Sequence, residues 1–328
     1  MSELAKVFRT RISALVKHEP LPGVTYPEVL MVDAPLVARW RTITLGIGGG
    51  MLGLITYFMA APLVAWGVLA LFWSLSGTGR DLASYGDAAK NFALPAGMVA
   101  THLGLAMLIP ISMALVLFVH RFSPRWVHSV QPGFRWRYGF IATGAALVVF
   151  GGVWFLSQIG QPWVVHPEPA FWGFMVAIVL TSPLQAAAEE YFFRGYLLQA
   201  IHSTAPNSPW FGVVGSAAIF ALLHNSGDVA AFLYAFAFGI LAGWLVTKTG
   251  GLEAGIAIHV VNNLLTFGYA ALSGTMVATY TERVTSWVSL VWALVGFGLF
   301  ALVAIWLARR MNLATTTPGA RFGGPAEV

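Results

Sequence analysis

The sequence predicts an all-α, polytopic integral membrane protein with about eight transmembrane helices. Two observations carry that expectation. Of the 328 residues, 58% are hydrophobic and only 9% are charged, whereas a soluble domain carries about 25% charged residues and needs them to cover its surface. The charged side chains that do occur are gathered into short intervals between long apolar runs, and Thr42–Gly79 contains none at all. The net charge of +5 therefore reads as loop charge that sets topology and not as a nucleic-acid-binding surface. The absence of cysteine removes disulfides, thiolate metal ligands and a thiol nucleophile together.

Taken in order, the chain divides into three parts. Residues 1–41 form a polar N-terminal segment, residues 42–308 a transmembrane helical domain, and residues 309–328 a polar tail expected to be disordered. In the first part Leu4, Phe8, Ile12, Leu15 and Val16 recur at helical spacing among Lys6, Arg9, Arg11 and Lys17, a pattern suited to a basic amphipathic helix on an anionic leaflet. Met1–His18 has no long apolar core and no small-residue cleavage site, so a cleavable signal peptide is not expected. Pro20, Pro22, Pro27 and Pro35 then mark an irregular linker.

Eight spans follow. The first, about Ile43–Trp73, exceeds the roughly 20 residues a bilayer needs and is expected to tilt or to break at Pro62. The next are about Ala93–His120, Tyr138–Ser157 and a fourth that starts near Phe171 and runs through Glu189, Glu190 and Arg194. Ser208 and Pro209 resemble an N-cap and first helical residue for a fifth span, about Trp210–His224. The last three are about Val229–Thr247, Ala254–Leu272 and Trp287–Ala308. Eight spans place both termini on one side. Basic residues before Thr42, in Arg121–Arg137, at Lys248 and in the tail far outnumber Arg80, Lys90 and Arg283 on the other side. The positive-inside rule then makes the termini cytoplasmic, in a plasma (inner) membrane protein.

Ionisable side chains at membrane depth cost several kcal/mol unless paired or solvated, and are functional hypotheses by default. Glu189 and Glu190 are adjacent, and Glu190 and Arg194 are i,i+4 on one helical face. One carboxylate can thus be neutralised while the other remains available for chemistry. His224 ends the fifth span, and His259 and Asn263 share a face of the seventh. A carboxylate, two imidazoles and a carboxamide form the inventory of a hydrolase, with a base for water and donors for an oxyanion. His and Glu also bind zinc. His102 lies in a span with no polar partner nearby in sequence.

Glu189-Glu190-x-x-x-Arg194, Phe220-x-x-x-His224 and His259-x-x-x-Asn263, in this order on separate helices, resemble the CPBP family, the CAAX-protease and bacteriocin-processing (Abi) intramembrane proteases that include type II CAAX prenyl endopeptidases. The resemblance covers about 171–272, and Phe193-Arg194-Gly195 follows the family's wording around its arginine. It implies that Glu189 activates water with the help of His224, that His259 and Asn263 form the oxyanion hole, and that Glu190 and Arg194 hold Glu189 in place. It leaves the cofactor open: a divalent metal such as zinc on Glu189, His224 and His259, or glutamate-activated water alone. No HExxH motif is present. The implied partners are the lipid bilayer and a membrane-tethered protein or peptide, prenylated at its C-terminus, a bacteriocin precursor, or a regulatory membrane protein. A reading from another class is an inactive scaffold or proton-coupled carrier of the same fold. A carrier would more naturally show an internal repeat, and none is seen.

The residue count contains a tension. At 1.5 Å per residue, Glu189 is about 27 Å from Phe171, His224 about 21 Å from Trp210 and His259 about 8 Å from Ala254. They meet only if the fifth helix begins far out, the fourth runs long, or the helices tilt. The site is then expected to open toward the cytoplasm or the inner half of the bilayer.

Overall fold

The computed structural model describes residues 14–31, 36–208, 210–224, 227–282 and 285–319. Most of the expected amphipathic N-terminal helix lies outside them. Among the described residues there is no strand, only three isolated bridge pairs. The helices are α1 (Leu36–Ser76), α2 (Leu82–Lys90), α3 (Pro95–Ala106), α4 (Leu108–Ala114), α5 (Trp136–Ser157), α6 (Phe171–Glu190), α7 (Leu198–His202), α8 (Phe211–Leu223), α9 (Val229–Thr249), α10 (Glu253–Ser273), α11 (Met276–Thr281) and α12 (Trp287–Arg310). A π-helical segment, Tyr191–Leu197, joins α6 to α7, so that one helical rod runs from Phe171 to His202.

Among the described residues, seven helical spans are long and apolar enough to cross a membrane, and the chain is an integral membrane protein. The eighth expected span is α8, whose 13 residues reach only about 20 Å, short of a hydrocarbon core of about 30 Å. Its N-cap is Trp210 rather than Ser208; Ser208 instead belongs to the preceding turn, its amide donating to Ala205 O. The first helix does not break at Pro62. The loop expected at Arg80–Lys90 contains α2, capped by Asp81, whose side chain accepts from the Ser84 amide.

Large apolar side chains such as Trp172, Leu180, Leu63 and Trp306 stay exposed around the outside, as lipid requires. Inside, Phe192, Tyr196, Phe220, Phe238, Val261 and Phe300 share one core. With no hydrophobic drive between helices in lipid, close packing decides association, and small residues permit it. α1 meets the π-helical segment in this way. A Cβ at Gly49 would lie 2.1 Å from Tyr196 Oη, and one at Gly46 would lie 2.6 Å from Ala200 O.

The two ends of the bundle are each tied together. At one end the Lys17 amide donates to Arg121 O, and Thr25 bridges to Thr316. There Thr317 Oγ1 donates to Leu21 O and accepts from the Val24 amide. Ser129 bridges to Gly251. The polar tail, expected to be disordered, is thus docked as far as it is described. This end collects Lys17, Arg121, Arg125, Arg135, Lys248, Arg309 and Arg310. At the other end the His166 amide donates to Leu272 O, Glu168 Oε1 accepts from the Met276 amide, Asp228 Oδ1 accepts from the Thr285 amide, and Phe92 stacks on Tyr280 with centroids 3.8 Å apart.

The basic end is clamped by a buried pair. Arg135 Nε and Nη2 donate to Glu253 Oε1 and Oε2 at 2.9 and 2.6 Å, and Nη1 donates to Thr249 O at 2.8 Å. Burial holds the neighbouring His128 imidazole below its ordinary pKa, with the charge of Glu253 opposing. Removing one partner leaves the other charge buried and alone. Glu253→Ala is therefore expected to lower stability by about 3–5 kcal/mol, while the apolar double replacement Arg135→Met/Glu253→Leu recovers most of that loss. Thermal unfolding in detergent measures both.

Candidate active site

The depth tension resolves because the fourth span runs long. The rod continues about 13 residues past Glu189 to His202, and α8 returns about 13 residues from Phe211 to His224, each about 20 Å. On the third side Gly195 packs against Leu252, which lies 3.3 Å from a Cβ built there. From that shared level Glu189 is about six residues up one helix and His259 about seven up another, about 9 and 10 Å. All three functional groups therefore sit at one depth. They line one cavity of about 730 Å³ together with Gln185 and Asn263.

Glu190 lies behind the cavity wall and is fully buried. Its Oε1 accepts from Arg194 Nη1 at 2.9 Å and from His259 Nδ1 at 2.8 Å. The i,i+4 pair read from the sequence is thus formed, and the same carboxylate also fixes the imidazole. Arg194 is fully buried too, and its Nε and Nη2 have no hydrogen-bond partner among the described residues. Aromatic faces take their place: the guanidinium carbon lies 4.2 Å from the ring centroid of Phe220 and 5.3 Å from that of Phe238. Cation–π attraction is strongest in such desolvated positions.

Glu189 is placed differently. It lines the cavity; its Oε2, like that of Glu190, has no hydrogen-bond partner among the described residues, and His259 Nε2 is 3.5 Å away, too far for a strong hydrogen bond. The two carboxylates share one guanidinium, and the His259 ring stands between them, Nδ1 on Glu190 and Nε2 toward Glu189. His224 Nδ1 lies 2.8 Å from Phe220 O, an acceptor only, so Nδ1 carries the proton there. In the neutral ring Nε2 is then the basic atom.

Asn263 is held by a chain of amides that the sequence reading missed. Asn263 Nδ2 donates to Gln185 Oε1 at 2.7 Å, Asn262 Nδ2 donates to Asn263 Oδ1 at 3.3 Å, and Tyr234 Oη donates to Asn262 Oδ1 at 2.5 Å. Gln185 could have been found from its i,i+4 relation to Glu189; Tyr234 and Phe238 carry no such signal. The first 170 residues, where no motif is found, also reach the cavity, through Tyr57, Phe58, Thr101 and His102 among others. His102, without a partner in sequence, is paired by the fold with Thr181 at 2.8 Å.

Among the described residues no group of three or more His, Asp or Glu is gathered to hold a metal ion as the side chains stand. In the set Glu189, His224 and His259, the bond of His259 Nδ1 to Glu190 leaves Nε2 as the nitrogen a metal would take. One expectation needs correction: the cavity does not open toward the basic end. Below Glu189 the bundle is filled by Glu190, Arg194 and the aromatic core. From Glu189 the walls run the other way, to Ala278, Thr279, Tyr280 and Thr285.

Residues 170–265 match the family model described as type II CAAX prenyl endopeptidase Rce1-like. The chain is also 29% identical over 185 residues to the uncharacterized protein YyaK of Bacillus subtilis (strain 168). That alignment covers 50% of this chain and spans 58% of the relative's length. No solved structure matches the chain.

Proposed function

With residues 170–265 similar to a type II CAAX prenyl endopeptidase, we propose that the protein is an intramembrane endopeptidase that hydrolyses a peptide bond of a membrane-associated substrate. The observation that carries this reading is the contrast between the two adjacent carboxylates. Glu190 lies behind the wall with Oε1 taken by both Arg194 and His259, while Glu189 lines the cavity; Oε2 of each carboxylate has no hydrogen-bond partner among the described residues.

In this reading Glu189 and Nε2 of His224 bind one water between them. Glu189 takes a proton as the water oxygen attacks the carbonyl carbon of the substrate. The carbonyl oxygen gathers negative charge and accepts from the Nε2–H of an imidazolium His259 and from Asn263 Nδ2, which form a preorganised oxyanion site. Collapse breaks the C–N bond, and Glu189 returns its proton to the leaving amine. Water and a peptide bond are thereby converted to a carboxylic acid and an amine. Glu190 and Arg194 touch no reacting atom; they orient His259 and hold the cluster near neutrality. No step passes through a metal.

The catalytic unit is the set of helices between residues 171 and 272, with α1 and α3 closing the cavity. The protein lies in the plasma membrane with both termini cytoplasmic. This orientation is supported by the contact between residues 24–25 and 316–317 and by the basic residues gathered at that end.

The direct test is cleavage of fluorogenic lipidated and unlipidated peptides by the purified protein, with a chelator added in a parallel arm. Cleavage that survives the chelator is the expected result. Loss of cleavage on chelation, restored by zinc, would overturn the metal-free mechanism. Intact cleavage by Glu189→Ala would overturn the site.

A further inference from the structure

The direction of the cavity has a consequence for what can enter it. The basic loops gather at the bundle end that carries Arg121, Arg125, Arg135, Lys248, Arg309 and Arg310. The cavity begins at mid-depth at Glu189 and His259, and its walls run to Thr266, Thr279 and Thr285. Thr285 and Asp228 are joined by a hydrogen bond, and Glu168 is bonded to Met276, so this is the end opposite the basic loops. No described residue of 120–135, of 202–210 or of 249–253 lines the cavity. The first and last of those segments instead pack on each other, through Ser129 with Gly251, and both pack on Gly195 through Val127 and Leu252. Lys and Arg accumulate in cytoplasmic loops because they resist translocation.

We infer that the site takes its substrate from the extracytoplasmic side: a membrane-anchored peptide whose scissile segment has already crossed the membrane. The substrate is supplied by a translocation step, and a lipidated C-terminal tail in the cytoplasm cannot reach Glu189. This inference rests on the protease reading for the word substrate, but the direction of access stands on geometry and charge alone.

The absence of cysteine from the chain makes a direct test available. Single replacements Thr266→Cys and Thr279→Cys on the cavity wall, and Gln131→Cys in an exposed loop of the basic end, are exposed to a membrane-impermeant thiol reagent. Right-side-out and inside-out vesicles are compared. The expected result is labelling of Thr266→Cys and Thr279→Cys only in right-side-out vesicles, and of Gln131→Cys only in inside-out ones. Labelling of the two cavity positions from the inside-out orientation alone would overturn the inference, as would labelling of Gln131→Cys from outside.

A second arm adds acyl-anchored peptides to the outer face of each preparation. Cleavage confined to right-side-out vesicles supports the inference, and cleavage confined to inside-out vesicles overturns it. If the labelling pattern is as expected and no peptide is cut on either face, the protease reading fails while the direction of access stands.

Discussion

Glu189→Gln is expected to lower kcat by about 10³–10⁴-fold, the range spanned by loss of a general base and of the charge it carries. The fold should survive it. Among the described residues Glu189 Oε2 has no hydrogen-bond partner, with His259 Nε2 at 3.5 Å, so the substitution removes a buried carboxylate without orphaning a bonded protein donor, and a buried charge without a bonded partner is costly to keep. Thermal unfolding should therefore show a melting temperature unchanged or raised. Kinetics on the same preparation separate this from a folding defect. Activity near the wild-type level in a well-folded Glu189→Gln protein would remove Glu189 from the chemistry. Loss of both activity and stability would mean that the carboxylate is structural.

Arg194→Met is expected to have the largest effect on stability. Arg194 and Glu190 have no exposed side-chain surface, and their 2.9 Å contact is the arginine's one hydrogen bond to a side chain among the described residues. Removing the guanidinium strands the Glu190 charge in the core, at a cost of about 3–5 kcal/mol. Arg194→Lys should not rescue it, because a compact ammonium cannot both reach Glu190 and lie flat on Phe220 and Phe238. Replacing both partners, Glu190→Leu with Arg194→Met, removes the stranded charge and should restore most of the stability. Activity should stay low in the double variant, since His259 Nδ1 loses the acceptor that sets its orientation. Unfolding in detergent and cleavage kinetics on the four proteins form the test. If the double variant regained kcat, Glu190 would have no positioning role. If Arg194→Met unfolded at the wild-type temperature, the pair would contribute nothing to the fold.

Much of the architecture was legible from composition and charge placement alone. Helices are the one way a chain of this composition can satisfy its backbone in lipid, and the limits of most spans follow from where charged residues stop. The exceptions are short elements. α8 reads as a full span because it is uniformly apolar, but its 13 helical residues make it a partial one. α2 and α11 lie in intervals that look like loops.

Within the site, residue spacing alone sets the relations that lie along one helix. Glu190 faces Arg194 and His259 shares a face with Asn263 because a helix of about 3.6 residues per turn puts i and i+4 side by side whatever surrounds it. Which groups meet across helices follows from the packing of the bundle. It placed His259 Nδ1 on Glu190 rather than on Glu189, set Phe238 beneath Arg194, linked Tyr234 through Asn262 to Asn263, and paired Arg135 with Glu253. It also turned the cavity away from the basic end. The physical reason is that contact between helices depends on their rotation and relative depth. Those are set by close packing at points such as Gly49 on Tyr196 and Gly195 on Leu252, not by the spacing of residues within either helix.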